Sequence, residues 1–531
     1  MPTMTSTIYL CSNVPLSSRY DHTIYFASES EQRSYFLGKV AHRVNDVSYL
    51  RKSWSIKIVS DMDSARKWSY LFFRNNDAGK YWYYFVTDVQ YINDNTVELS
   101  LELDVMQTYM FDWVLNNCFI EREHSITDNF GENTIDEGLD TGDLIVASND
   151  HHSWNDCCIL LLSTVVLGVT GNPKIYASRY NNVFGGAAVY AVKASDWEAL
   201  GVYLDGLSAD GKIDAIISIW MYPRELVTLE SGSSWDSGTI FKEVRGCDMV
   251  NVSLLPVNSS GLSGLYQPKN KKLLQYPFNF LYVTNNNGGA ATYKYEYFGD
   301  ETNPRANLFG TLSAEGVAYM YPLHYKGVDH NYEEGLQISG FPTCAWNSDV
   351  YKLWLAQNQN QHQLAGTTAA LTIAGGAIAT VAGLATGNAL AAAGGAGTML
   401  HGLTSIQSLL AQQKDMEIQP PQARGNHSSS LPFTAGEVGY KFQRKTVDNY
   451  HAKRIDDFFT MFGYASHRVG KPRLFARPYW TYVKTRGSNV TGNIPNADLQ
   501  KINQIFDAGV TFWAGGAHVY DYSLNNSPAA G

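Results

Sequence analysis

The chain has no CxxC pair, no P-loop, no GxSxG or HExxH motif, no basic surplus, and no charged side chain between Lys352 and Lys414. Each absence removes a class of protein. Six scattered cysteines (Cys11, Cys118, Cys157, Cys158, Cys247 and Cys344) fit a chain made in a reducing cytoplasm rather than a disulfide scaffold. Without those motifs, phosphate-loop, serine-nucleophile and zincin chemistry have no anchor. A formal net charge of −10 argues against a general nucleic-acid binder, which carries a basic surplus. Residues 1–13 lack a basic stretch followed by an apolar core, so no signal peptide is expected. His151, His152, Cys157 and Cys158 fall within eight residues. Neighbours on a strand point to opposite faces, however, and no second half-site accompanies them. No metal, cofactor or catalytic residues are therefore expected.

What is abundant is aromatic: 13% of the chain, led by 34 Tyr, a bias that favours pleated, half-buried faces. The segment KYWYYFVTDVQY, the turn cluster INDN and TVELSLELDVMQTY spell a long hairpin. In its second arm Val97, Leu99, Leu101, Leu103 and Val105 alternate with Thr96, Glu98, Ser100, Glu102 and Asp104. That pattern predicts a strand over 96–105, about 33 Å long, with one buried face and one wet, acidic face. Such a strand suits the wall of a barrel or tube as well as an ordinary sandwich.

Residues 156–169, DCCILLLSTVVLGV, predict a fully buried strand. Helical spacing followed by a second apolar run is expected over 195–223, and a hairpin around TNNNGGAATY. Near the end, AKRIDDFFTMF and NADLQKINQIFDAG read as helices, the latter capped by Asn496 or Asp498 and ended by Gly509. The adjacent pair Asp456 and Asp457 is expected on a solvated helix face. From Lys441 to Arg486 there are 11 Lys and Arg against three Asp. We expect that run to meet an acidic patch on another subunit, such as the wet face of 96–105, rather than nucleic acid.

The uncharged stretch is the most unusual feature. Residues 364–411 hold 14 Ala and 9 Gly in 48 positions. Two halves divide at Thr386, Gly387 and Asn388, each near the length of a bilayer-crossing helix. The apolar contributors are Leu371, Ile373, Ile378, Val381 and Leu384, then Leu390, Met399, Leu400, Leu403 and Ile406. The first five supply only about −2 kcal/mol of insertion free energy, which Gly and Thr largely offset. One central charge would cost about 2.5–3.5 kcal/mol, and none is present. Such a segment tolerates lipid but also water if sheltered. A buried Ala-rich hairpin is the competing reading, opposed by glycines costing about 0.8–1.0 kcal/mol each in a helix.

Two groups of motifs make the chain resemble a known family. Near the start stand YDHTIYFASESEQRSYF, LDVMQTYMFDW and CFIEREHS; near the end stand IDDFFTMFGYASHRVGKP, RPYWTYVKTRG, GNIPNADL and IFDAGVTFWAGG. Together with the uncharged insert they resemble the tail knob, or distal tail tube, proteins of phi29-like short-tailed bacteriophages. The resemblance implies a mainly β chain with some α, whose tail-tube-like β-barrel or sandwich domains assemble into a homohexameric tube. It implies a structural virion protein, made in the host cytoplasm, that contacts the upper tail tube or collar. Double-stranded DNA would pass through its lumen without sequence readout. The ten insert side chains named above would plug the tube and then enter the host bacterial membrane. The expected divisions are 1–125 (tube-like β domain), 126–350 (knob), 351–430 (linker helix and insert, core 364–413) and 431–531 (an α/β part packing with the tube). A tail tube or receptor-binding knob without membrane activity is the alternative, and a cell-wall-degrading tail enzyme a more distant one, since no paired carboxylates stand at usable spacing.

Overall fold

A computed structural model describes residues 6–338 and 439–528, apart from 48–53, 76–78, 155, 169–178, 181–182, 185–186, 211, 258–261, 263–265, 286–287, 299–302 and 313–316. The chain divides into two units. The first takes residues 1–144, 259–278 and 447–531, and the second takes 145–258 and 279–446.

The first unit begins with β1 (Ser6–Ser12), β2 (His22–Tyr25) and α1 (Glu29–Leu37). Ser28 starts α1 because its Oγ accepts from the Glu31 amide at 3.2 Å, while Glu31 Oε2 accepts from Ala27 N at 3.0 Å. This reciprocal pairing satisfies donors that the first helical turn leaves free. Strands β3 (Val40–Val47), β4 (Ser55–Val59), β5 (Trp68–Asn75), β6 (Tyr81–Asn93) and β7 (Thr96–Leu103) follow, with a helical turn α2 (Met62–Ala65) among them. They form a six-stranded sheet in the order β3-β1-β5-β6-β7-β4. Its core is aromatic: Phe36 of α1 stacks on Tyr70 at 5.1 Å and leans on Phe72 and Tyr83.

The hairpin β6–β7 has the expected alternation, with Val97, Leu99, Leu101 and Leu103 buried. Its second arm is shorter than the pattern predicts. Asp104 ends it, accepting from the amides of Met106 and Gln107 at 3.1 Å each, and so caps the short helix α3 (Val105–Thr108). Asp104 is not on a wet face: it is 1% exposed and accepts from Tyr70 Oη at 2.8 Å. Short strands β8 (Trp113–Leu115) and β9 (Cys118–Glu123) then lead to an irregular stretch up to residue 143.

The second unit opens with β10 (Leu144–Ser153) and β11 (Cys157–Ser163). The two-residue pair β12 (Arg179–Tyr180) and β13 (Val183–Phe184) comes next, then β14 (Ala188–Lys193), α4 (Trp197–Ala209), β15 (Ile216–Pro223), β16 (Val227–Leu229) and β17 (Lys242–Cys247). Strand β11 lies between β15 and β14, antiparallel to both, and Cys157, Cys158, Ile159, Leu160 and Leu161 along it are all buried, so both of its faces are covered. Leu200, Leu204 and Leu207 of α4 share a core with Ile159, Leu161, Val192 and Ile219. Further on are β18 (Val250–Ser253), β19 (Asn279–Thr284), β20 (Ala290–Tyr293), β21 (Arg305–Gly310), β22 (Ala318–Tyr325), β23 (Val328–His330), β24 (Leu336–Ile338) and β25 (Gly439–Val447). They build the sheets β10-β25-β19-β20 and β18-β21-β22-β23, with β24 also on β22.

The chain then completes the first unit with α5 (Asn449–Phe462), β26 (Tyr464–Gly470), β27 (Trp480–Arg486), β28 (Val490–Gly492), α6 (Asn496–Ala508) and β29 (Val510–Ala514). The sheet order is β2-β29-β27-β9-β26, with β2 and β29 parallel, His22 opposite Thr511. Gly463 ends α5 at φ 66°, and a Cβ there would stand 2.3 Å from Glu123 O, so both backbone and space demand glycine. Gly509 ends α6 as expected, at φ 97°. The start of α6 differs from expectation. Pro495 is the cap residue and no side chain caps the helix, while Asp498 accepts from Tyr109 Oη at 2.9 Å instead.

Candidate functional site: hairpin surface and buried clamp

Beyond Phe85, β6 pairs with β7 but no longer with β5. Thr87, Asp88, Gln90, Tyr91, Ile92 and Asn93 are exposed, and Tyr91 Oη donates to Asp94 Oδ1 at 2.6 Å. Val59 beside the hairpin end is 76% exposed. The polar face of β7 is less free than its pattern predicts. Glu98 lies opposite Lys57 in the ladder, and Glu102 is bound by Lys501 Nζ of α6 at 2.7 Å. That carboxylate is committed within its own chain.

The basic run 441–486 is in part committed within the chain. Arg444 and Arg477 are buried, Arg468 is paired with Glu123, and Lys484 with Glu121 at 2.7 Å. Lys453, Arg454, Lys471, Arg473 and Arg486 are exposed. The run also crosses from the second unit into the first at residue 447. A sequence count of charge missed this because pairing and burial act residue by residue.

Around α5 the first unit buries a cluster of charges, one of which, Asp456, the sequence pattern places on a solvated face. Asp456 is fully buried, not on a solvated face. Its Oδ2 accepts from Tyr266 Oη and Lys269 N at 2.7 Å each, and its Oδ1 from Asn270 N at 3.0 Å and Nδ2 at 2.7 Å. Four donors compensate the desolvation of one carboxylate and fasten residues 266–270 to the helix. Beside it Glu137, with 3% of its side chain exposed, takes both Lys272 Nζ and Arg122 Nη2, and also Ala465 N at 3.1 Å. Lys272 donates further to Ile135 O at 2.8 Å and Arg122 to Gly463 O at 2.8 Å. Burial pulls the Lys272 ammonium below its ordinary value, and Glu137 opposes that shift. Tyr464 Oη donates to Asp128 Oδ1 at 2.6 Å.

His124 completes this clamp as a neutral ring. Nδ1 accepts from Tyr482 N at 2.8 Å, so the proton sits on Nε2, which donates to Thr460 O at 3.1 Å. Burial, then the charge of Arg477, pushes its pKa down to about 3. Asp104 titrates the other way: burial raises its carboxyl to about 6, against the hydrogen bonds from Gln107, Tyr70 and Met106.

The other sequence candidates are accounted for individually. Cys157 and Cys158 donate to Trp154 O and Tyr222 O at 3.0 and 3.4 Å, and His152 Nε2 meets Glu225 at 2.6 Å. Among the described residues no group of His, Cys, Asp or Glu is placed to hold a metal, and no helix is long and apolar enough to cross a membrane. The insert side chains Leu371, Ile373, Ile378, Val381, Leu384, Leu390, Met399, Leu400, Leu403 and Ile406 lie outside the described residues.

The geometry is that of a β-rich protein with a stapled helix, and comparison with known proteins gives its class. Residues 4–114 match the model for the Caudoviral major tail protein N-terminus. Over nearly the whole chain the fold resembles the solved tail knob protein gp12 of bacteriophage C1, with a TM-score of 0.66, 18% identity, and 98% and 99% of the two chains covered. The class is a structural component of the virion tail.

Residues 244–527, more than half of the chain, match the model for the C-terminal domain of Bacillus phage phi29 tail knob protein gp9, and the chain belongs to that family. The tail knob proteins gp9 of Bacillus phages B103 and phi29 are 25% and 24% identical to it over 99% of both chains. These relatives are tail knob proteins, and the role is structural, not enzymatic.

Proposed function

We propose that six copies of this chain form the distal tube of a short phage tail, a conduit through which the genome leaves. On this reading the uncharged insert plugs the tube and later penetrates the host membrane. The observation that carries it is the 61-residue interval between Lys352 and Lys414 without one charge, in a chain of tail knob type. A net negative subunit suits passage of DNA, because a basic wall binds phosphates by counterion release and retards them. Each insert is too weak to remain in lipid alone, and six gathered at one tip share the cost of entry.

Electron microscopy and liposome leakage test the two halves of this reading. Purified protein should give six-fold rings and release dye from liposomes at neutral or acid pH. Deletion of residues 364–413 should abolish leakage and leave the rings. Unchanged leakage after the deletion would refute the membrane role. Rings beside intact liposomes under all conditions would leave a purely structural tube.

A further inference from the structure

The sheet β18-β21-β22-β23 of the second unit has one core side and one side of a different chemistry. Ala306, Leu308, Ala318 and Met320 are fully buried and define the core side. Alternation puts Arg305, Asn307 and Phe309 of β21 on the other side, with Tyr319 and Tyr321 of β22. Ladder pairing extends that side across the sheet: Ser253 stands opposite Arg305, Asn251 opposite Asn307, and Gln337 of β24 opposite Tyr319. Aromatic rings are thus interleaved with amides and a hydroxyl, and these positions hold no carboxylate.

One ring is presented rather than packed. Tyr332 is 66% exposed, yet its place is fixed. It leans on Tyr321 with centroids 4.4 Å apart, and His330 lies 6.4 Å away, within 18° of parallel to it. Tyr321 is held in turn by Asn307 Nδ2, which donates to its Oη at 3.4 Å, and by Met249 Sδ, which accepts at 3.3 Å. Buried Asn331 ties the loop: its N donates to Pro322 O and its Nδ2 to Tyr325 O at 3.1 Å each, while its Oδ1 accepts from Glu334 N at 3.3 Å. Gly335 N closes the loop on Tyr332 O at 3.1 Å. A rigid exposed tyrosine offers amphipathic contact area with little ordering entropy left to lose on binding.

Charge selects what fits there. In the neighbouring segment Lys326 pairs with Glu334, and His324 Nδ1 lies 3.1 Å from Asp329. The exposed Arg305 and Glu333 are of opposite sign. In a chain of net charge −10 this surface is close to neutral. A phosphate polymer needs a cationic surface, and a protein partner needs a broad apolar centre. Here the open apolar area is chiefly Tyr332 and Met249. A pyranose has a flat C–H face to lie on a tyrosine ring and hydroxyls around its rim for amide side chains. Strands about 4.8 Å apart set Asn251 about 10 Å from Tyr321, a span that calls for more than one sugar unit.

We infer that this surface binds an uncharged carbohydrate chain of pyranose units, with Tyr332 as the stacking platform and Asn251, Arg305 and Gln337 meeting sugar hydroxyls. The site is separate from the insert and requires neither a tube nor membrane entry.

An array of neutral and anionic oligosaccharides from bacterial surfaces, probed with the full chain, tests this, followed by calorimetric titration of the strongest binder at low and high salt. The expected result is binding to a neutral pyranose oligomer that salt leaves unchanged. Tyr332→Ala should weaken it at least about tenfold and Asn251→Ala about threefold, while Tyr332→Phe keeps most of the affinity. Both positions are exposed, so the core is untouched. Tyr450→Ala removes an equally exposed ring on α5 and should change nothing. Absence of binding to every neutral glycan would overturn the inference, as would salt-sensitive binding confined to anionic ones. A Tyr332→Ala chain that binds glycans like the parent but loses self-association would mark the ring as a subunit contact instead.

Discussion

Within the first unit, the six-stranded sheet and the clamp around α5 are stabilised by opposite means. The sheet buries Phe36, Tyr70, Phe72, Tyr83 and the apolar face of β7. Such packing degrades gradually, one side chain at a time, as apolar area is lost. The clamp buries Glu137, Lys272, Asp456 and His124, with Arg122 at its edge. Each member there is tolerable only because the others are present, so loss of one leaves its partners charged or unbonded away from water. A virion protein of this kind combines a forgiving sheet with an unforgiving staple.

The sharpest way to break the comparison is Glu137→Ala. It leaves Lys272 and Arg122 without their carboxylate and should cost about 3–5 kcal/mol in denaturant unfolding. Adding Lys272→Met should recover part of that loss, giving a coupling between the two changes. Additive losses would show that the clamp behaves like the sheet.

The pH response separates the two regions by sign. His124 has its folded pKa depressed to about 3, so the stability it contributes is present above its ordinary value and lost as pH falls toward 3. By pH 5 the loss is about 2 kcal/mol. Asp104 has its folded pKa raised to about 6, so its ionised form is penalised and stability is regained as pH falls through 6. Its gain by pH 5 is roughly 1.4 kcal/mol. Unfolding measured at pH 7 and 5 should show His124→Gln losing less on acidification than the parent, and Asp104→Asn losing more. Identical pH slopes in all three would rule out this assignment. The smallest effect is at Glu102, whose bond to Lys501 joins groups each about one-third exposed. Glu102→Gln should change stability by less than about 1 kcal/mol, and less again in high salt.

The contrast also explains which parts of the molecule were legible in the sequence. Alternation over Val97 to Leu103, the turn at Asp94 and Asn95, the run in β11 and the glycine ending α6 are local signals, and each is where the pattern placed it. Asp456 gave no such signal. Its partner Asn270 is 186 residues away, and the adjacent Asp457 made the pair look like an ordinary wet face. Asp104 was misplaced because alternation continues formally past Leu103 while the backbone turns into a capped helix. Discontinuous units escape a linear division for the same reason, since the segment 259–278 joins the first unit through hydrogen bonds no local pattern records. The insert stands out in composition alone, through Leu371, Ile378 and Leu390 among others, and lies outside the described residues.

The parallel pairing of β2 with β29 sets a schedule for biosynthesis. Thr23 and Ile24 find their ladder partners in Phe512 and Trp513, so almost five hundred residues must emerge from the ribosome before this edge is sealed. A chain terminated before residue 510 lacks that seam however well its earlier sheets have formed.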